Sequence, residues 1–486
     1  SHRAFTPLNS AAGTVHVFYW VTVRVNRQIP QLFSAVLNNT TALVSARATG
    51  ALTDTVVQGS LILLDRENDS TPFMAGTHGV DLVVAGNAPV QAPAGMLIAS
   101  TNCGQHVSTN CADTTNAAAQ LQGTQSSVTN TSYTYFRGNG GWDNTGNPTW
   151  TNAPVGGKPD GPSFYDPFSG RGQPPLQTNI TTPAIPVIGG TLPAGTYGSG
   201  AYFAATGAGC SRTNLSQCTA TGAPITITGD VTFSGGNFGQ FIFYGGLYDQ
   251  RKNVTLGPGM YVLAGTTSAS TPVLNLDNNS NVTDGGPVEA EGSTAGEMLV
   301  FTDLNYPGLS NYTPQAITDY NTANPGAFQF GSVGFKAGNN TTINIHGLDQ
   351  SNSNLPSNLD TFAPVVFWQD QANSSVAYDS QGNVLFNPNG IVQGCPTTDS
   401  TLDSPCPGGV GTSSTSPGMT LDAHANIDLY GAIYQPRGGW ITMQGNGGIT
   451  GPIQLITGAI NDQGGTALTL TGLSNPVTTV SAALIE

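Results

Sequence analysis

Charged residues are scarce in this chain. Only 8% of its 486 residues are charged, and lysine occurs three times, at Lys158, Lys252 and Lys336. An ordinary soluble domain is about a quarter charged. Long salt-bridged helices are therefore not expected. The 63 glycines favour short strands joined by tight turns instead, because glycine reaches the backbone angles that turns require.

Clusters of basic residues are also missing. The chain has 13 basic and 28 acidic residues, a net charge of −15, and apart from the neighbours Arg251 and Lys252 the basic residues are scattered singly. A nucleic-acid partner needs clustered Lys and Arg to neutralise phosphates, and anionic lipid attracts similar clusters. Neither partner is expected. No apolar run approaches the ~20 residues that cross a bilayer, so no membrane span is predicted in this chain.

The usual catalytic motifs do not occur either. The six histidines accompany no Ser or Cys nucleophile motif, and neither a Gly-x-Ser-x-Gly elbow nor a phosphate-binding loop is found. The one concentrated group of charges in the middle of the chain is Asp249, Arg251 and Lys252. Polysaccharide lyases and hydrolases use such groups in a groove, but a surface corner explains them as well. The sequence predicts a non-enzymatic protein without a cofactor.

Six cysteines form three local pairs along the chain: Cys103 with Cys111, Cys210 with Cys218, and Cys395 with Cys406. Zinc ligands usually have two to four residues between them, a closer spacing than any of these pairs shows. Fifteen connectivities are formally available to six cysteines, and we predict nearest-neighbour disulfides. Such disulfides place the protein in an oxidising compartment outside the cytoplasm.

The clearest predicted element is a strand near the amino terminus, within residues 14–25. Alternation of β-branched and aromatic residues indicates a strand that is apolar on both faces. Pro30 is expected to open a helix of two turns that stops at Asn38 and Asn39. Thr41–Ala48 is the next predicted strand, and Gly50 closes the unit. This strand–helix–strand segment, residues 1–50, is the first predicted domain.

From residue 51 onward, short apolar runs alternate with Gly- and Asn-rich turns. Such runs are typical of an all-β body, either a β-solenoid (β-helix) or a β-sandwich. Residues 51–185 form the second predicted domain, which contains a long Gly/Pro/Asn loop. Residues 186–486 form the main β-rich domain. The repeated pattern Leu-x-x-Gly-x-Tyr at 192–197 and 256–261 predicts corners from which Leu and Tyr point inward.

Two further groups of residues could bind ligands. Asp65, Glu67 and Asp69 alternate after a buried run, and Asp277 and Asp284 lie in an Asn-rich stretch; either group could bind Ca²⁺ or simply form a solvated turn. Trp142, Trp150, Phe164 and Tyr165 could stack on sugars or anchor loops on the body. No metal is predicted.

Assembly is the strongest functional hypothesis for the amino-terminal strand. An apolar strand near a terminus can add to the sheet of a neighbouring subunit, but it can equally pair within its own chain, and the residues favour neither outcome. The terminal segment VTTVSAALIE has the same ambiguity. The predicted assembly residues are Val15, Val17, Phe18, Tyr19, Trp20, Val21, Val23 and Val25.

Several motifs resemble TadG-like proteins of the Flp (tight-adherence) pilus system. VTVRVNRQIPQLFSAVL and ALVSARATGAL resemble the segment that follows the membrane helix in that family. SLILLD, VVFWQDQ and GAIYQPRGGWITMQGNGGI resemble its β-rich secreted portion. The resemblance implies a surface or pilus-associated structural role rather than a defined catalytic activity.

Together these features predict an extracellular structural protein of a bacterial surface filament or pilus. Its partners would be copies of itself, joined by β-strand addition, with surface glycans as a further partner. The alternative is a secreted β-helix that binds or degrades polysaccharide. A monomeric adhesin is a third interpretation, which predicts neither fibres nor turnover.

Overall fold

The structure is a computed structural model. It describes residues 15–30, 41–55, 59–64, 80–98, 117–130, 134–136, 141–145, 148–151, 167–168, 174–265, 272–284, 294–302, 335–369, 419–474, 476–477 and 479–485.

Almost all regular structure in these residues is β-strand. The helices among them are two short 3₁₀ turns, Leu215–Gln217 and Ser357–Phe362, so none could span a bilayer. The strands, in chain order, are β1 Val15–Pro30, β2 Thr41–Thr55, β3 Leu61–Leu63, β4 Leu82–Ala85, β5 Pro89–Gln91, β6 Met96–Ile98, β7 Ala119–Gln122, β8 Ser127–Thr129, β9 Thr134–Phe136, β10 Trp142–Thr145, β11 Thr149–Thr151, β12 Ala184–Ile188, β13 Thr191–Leu192, β14 Gly195–Tyr197, β15 Gly200–Thr206, β16 Thr219–Ala220, β17 Ile225–Ile227, β18 Val231–Phe233, β19 Gly239–Tyr244, β20 Leu247–Asp249, β21 Asn253–Leu256, β22 Gly259–Ala264, β23 Leu274–Leu276, β24 Asn281–Asp284, β25 Glu297–Thr302, β26 Phe335–Ala337, β27 Thr342–His346, β28 Val365–Gln369, β29 Met419–Leu421, β30 Asn426–Met443, β31 Gly448–Gly451, β32 Ile453–Asp462, β33 Ala467–Leu470 and β34 Thr479–Ile485.

Most strands stack in parallel as a three-faced β-helix. From β12 to β29, consecutive strands lie on the first, second and third face in turn, and each pairs with a strand one coil (one turn of the β-helix) further along the chain. The exception is the short strand β16, which pairs antiparallel with β15. β30 is long enough to contribute to all three faces. The all-β prediction is confirmed, and of its two forms the solenoid is the one observed.

The coils do not stack in the order of the sequence. Parallel pairing runs from β12–β14 to the coil of β32 and β33. The next strands in the stack are β3, β4 and β5, which come from the amino-terminal part of the chain. The coils of β6–β8 and β9–β11 complete the stack at that end. Strands on both sides of the predicted boundary at residue 185 therefore belong to one continuous stack.

This coil order requires the chain to return along the outside of the stack. β11 lies at one end and β12 at the other, separated by about ten steps of ~4.8 Å, or roughly 48 Å. Two described contacts mark the return path along the first face. Phe168 is fully buried between Trp368 and Tyr434, and the Gln177 N–H donates to Gln240 Oε1 at 2.6 Å.

Two apolar layers hold the stack together. Alternate residues of each short strand point inward and form one interior core that runs through all the coils. A second cluster lies on the outside of the first face, where the segment containing Phe168 and the turn around Phe362 cover it. Aromatic rings stack from coil to coil in the interior; Phe241 and Tyr261 are 4.8 Å apart and nearly coplanar. The first face is therefore buried on both sides.

The Leu-x-x-Gly-x-Tyr corners behave as predicted. Leu192 and Leu256 are buried, and Tyr261 is buried while Tyr197 packs against the end of the core. Each tyrosine hydroxyl donates to a carbonyl four residues earlier, at 2.7 Å for Tyr197 and 2.6 Å for Tyr261. The hydroxyl therefore fastens the corner while the ring fills the interior.

Candidate functional site

The candidate site is a small antiparallel sheet outside the β-helix. β1 pairs with β2 from Val15–Thr55 to Pro30–Thr41, and β2 pairs with β34 from Thr49–Ile485 to Thr55–Thr479. The strand order is β1-β2-β34. Within the described residues, the outer edges of β1 and β34 have no strand partner. The predicted amino- and carboxy-terminal strands therefore meet in one sheet through β2.

The distal half of the β1–β2 hairpin extends beyond this sheet. Since β34 ends at Thr49 of β2, residues 23–30 and 41–48 are only two strands wide. We call this part the arm. Its described side chains, residues 24–27 and 44–47, are all exposed. A two-stranded ribbon without a covered face is only marginally stable in water. Contact with a partner would therefore stabilise the arm.

The arm has two chemically different faces. Residues directly opposite each other in an antiparallel pair share a face. Arg24 lies opposite Arg47, whereas Val25 lies opposite Ala46 on the other face. Arg27 and Val44 complete that second face, and Val25 and Val44 are 60% and 50% exposed. One face is thus dibasic and the other is mostly apolar.

The prediction that a helix begins at Pro30 is wrong for that residue. Pro30 is the last residue of β1, paired with Thr41, and does not begin a helix. The rest of the predicted helix lies outside the described residues. Gly50 does not close the unit either, because it pairs with Val21 in the middle of β2. The local proline and glycine signals are overridden by pairing along the whole hairpin, which continues to Thr55.

The predicted assembly residues all lie on β1. Those from Val15 to Val21 belong to the three-stranded part of the sheet, and Val23 and Val25 lie in the arm. The hypothesis that β1 pairs within its own chain therefore holds for one of its edges. Strand addition by a neighbour would use the other edge.

Comparison with protein-family models, with curated proteins and with solved structures found no match.

One of the three predicted disulfides lies in the described part of the chain. Cys210 and Cys218 are bonded, with a Cα–Cα distance of 4.6 Å, and the bond closes a loop on the outside of the stack. Cys103, Cys111, Cys395 and Cys406 lie outside the described residues.

The charged group at Asp249 is a corner of the stack. The Asp249 carboxylate is buried and accepts the backbone N–H of Lys252 at 3.2 Å. Arg251 instead pairs with Asp277, at 3.4 Å from Nε to Oδ2. Burial raises the pKa of Asp249, and the hydrogen bond from the Lys252 backbone N–H opposes the rise. The three charged side chains do not converge on a groove.

The predicted calcium ligands are not brought together. Asp277 contacts Tyr248 and Arg251, whereas Asp284 contacts His346 on another corner. Asp65, Glu67 and Asp69 lie outside the described residues. No group of three or more His, Cys, Asp or Glu within the described part of the chain could hold a metal ion.

The described half of the predicted aromatic platform covers one end of the interior core. Trp142 and Trp150 are partly buried against the interior core, with ring centroids 5.2 Å apart. Phe136 packs on Trp150 at 6.3 Å. These rings belong to the coil of β9–β11 at one end of the stack. Phe164 and Tyr165 lie outside the described residues.

A buried group of titratable residues, which no sequence motif indicates, lies on another corner of the stack. His346 Nδ1 lies 2.5 Å from Asp284 Oδ2, and the His346 backbone N–H donates to Glu297 Oε2 at 3.3 Å. Burial raises the pKa of Glu297 well above its ordinary value, and the charge of Asp284 adds to the rise. These residues are 13 to 62 positions apart along the chain, so no local motif joins them.

Proposed function

We propose that this protein is a non-enzymatic structural subunit of an extracellular filament or pilus-like surface assembly, in which copies of the chain join by β-strand addition. The observation that carries the proposal is the terminal sheet, whose two outer strands, β1 and β34, leave their edges without a partner in the described structure. The resemblance to TadG-like proteins supports the same assignment.

The geometry of the sheet favours an open assembly. Because β2 is antiparallel to both of its neighbours, β1 and β34 run in the same direction on opposite edges. Adding β34 of one copy to β1 of the next joins two different surfaces. Such head-to-tail contacts form filaments when their rotation does not close a ring. A two-fold pairing of β1 with β1 would form a closed dimer instead.

Mixed crosslinking distinguishes these arrangements. We expect a chain with Val21→Cys on β1 to crosslink to a chain with Ser481→Cys on β34 through a short bis-maleimide when the two are mixed. Thr450→Cys on the third face is the control and is expected not to crosslink to either. Crosslinking of Val21→Cys only with itself would indicate a two-fold dimer, and the absence of any crosslink would contradict strand addition.

A second candidate function, polysaccharide binding, is favoured by the third face. The outward residues of its strands stack in register, and all are partly or fully exposed. They are Thr196, Thr232, Thr255, Thr283, Asn344, Asp428, Thr450, Thr469, Gln91, Thr129 and Thr151. Regularly spaced hydroxyls can donate to and accept from sugar hydroxyls.

Glycan-array binding tests this candidate. The wild-type protein would bind a neutral polysaccharide, and Thr450→Val with Thr469→Val would weaken binding by about 30-fold, as expected for the loss of two hydrogen bonds of ~1 kcal/mol each. Thr226→Val, on the second face, is the matched control. Equal binding by all variants would exclude the third face as the site.

A further inference from the structure

The two arginines on the dibasic face of the arm repel each other. Arg24 and Arg47 lie directly opposite each other on neighbouring strands. Like charges in this position destabilise a sheet. Both side chains are exposed, and no carboxylate among the described residues forms an ion pair with either of them. An anion placed between the two guanidinium groups would remove the repulsion and accept hydrogen bonds from both.

The charge of the hairpin is opposite to that of the rest of the chain. Residues 15–55 contain Arg24, Arg27 and Arg47 but a single acidic residue, Asp54. The remaining residues contain ten basic and 27 acidic side chains. A second copy of this protein therefore offers the arm an acidic partner, and electrostatic complementarity of this kind speeds association and selects the partner.

We propose that Arg24 and Arg47 bind a carboxylate on a second copy of this chain, so that the arm docks on the acidic body of its neighbour. This inference rests on the proposed function and names the contact that accompanies strand addition. The apolar face of the arm, with Val25 60% and Val44 50% exposed, adds area that association would remove from water.

Self-association measured against salt and charge tests the proposal. By sedimentation velocity, we expect wild-type association to weaken as NaCl rises, because salt screens exposed charges. Arg24→Gln with Arg47→Gln should weaken association about tenfold at low salt and remove most of the salt dependence. Arg212→Gln with Arg251→Gln is the matched control; it removes two exposed arginines from the body and should leave association unchanged.

The outcomes separate this inference from the proposed function. If wild type and the Arg24/Arg47 variant assemble equally well and independently of salt, the carboxylate contact is wrong while strand addition stands. If both double variants lose association equally, net charge rather than the arm is responsible, and the contact is again wrong. If wild type stays monomeric but binds phosphatidylglycerol vesicles through Arg24 and Arg47, the partner is a lipid surface, and both proposals fail.

Discussion

Replacing Asp462 by Asn is expected to stabilise the protein strongly at pH 8 and to leave its stability nearly unchanged at pH 4. Asp462 is fully buried at the end of β32, and burial raises the pKa of its carboxyl from 3.8 to about 8. Its Oδ1 accepts the hydroxyl of Thr466, whereas Oδ2 has no hydrogen-bond partner among the described residues. Asn keeps the acceptor and cannot ionise.

The direction of this pH effect follows from the number of protons bound to the folded and to the unfolded chain. Between pH 4 and pH 8 the folded protein keeps the Asp462 proton, which the unfolded chain has released. The free energy of unfolding therefore falls by up to ~1.4 kcal/mol for each pH unit over this range because of this one group. Below pH 4 both states are protonated and the residue has no effect. The Asp462→Asn variant lacks this slope.

Denaturant unfolding of both proteins at pH 4, 6 and 8 measures the effect. Asp230→Asn is the control, because Asp230 is exposed and hydrogen bonds from Asn253 lower its pKa. Its carboxylate stabilises the fold above the ordinary carboxyl pKa, and that stabilisation is lost as the pH falls. Its replacement should therefore act in the opposite direction at pH 8. An Asp462→Asn variant less stable than wild type at pH 8 would show that the carboxylate has a charged partner.

Replacing Phe168 by Ala is expected to cost about 3–5 kcal/mol of stability. The ring is fully buried and lies edge-on to Trp368 at 5.0 Å and to Tyr434 at 4.6 Å. It fixes the chain where it returns along the first face, between the coil of β11 and the coil of β12. A truncated side chain would leave a cavity between this segment and the stack.

Equilibrium unfolding and hydrogen exchange test this prediction together. The amide of Gln177, which donates to Gln240 Oε1 on the same path, should exchange faster in Phe168→Ala. Ile188→Ala is the control, since Ile188 is 57% exposed and its loss should cost less than ~1 kcal/mol. A cost below ~1 kcal/mol for Phe168→Ala would mean that this contact does not hold the returning chain.

Local pattern predicted most strands but not their order in the stack. Apolar runs such as those at Leu61–Leu63 and Val365–Gln369 became strands because each is buried on both sides. The pairing of Leu61 with Leu455 joins residues almost 400 positions apart, and nothing in either run specifies the other. Apolar strands of similar length can pair with many partners, so coil order depends on the whole structure.

The strand order of the terminal sheet could not be predicted from local sequence pattern either. Alternation at Val15–Val25 predicted β1 but could not reveal that β2 lies between it and β34. The proline at position 30 suggested a helix because proline favours a first helical turn, although it is also tolerated at a strand end. The buried contact of His346 with Asp284 and Glu297 has no sequence signal, since stacking alone brings these residues together.

Negative-stain imaging of the purified chain tests the account most directly. Assembly through the open edges of β1 and β34 predicts regular fibres that are absent when residues 15–55 are deleted. Single particles of one chain at every protein concentration that can be reached would contradict it.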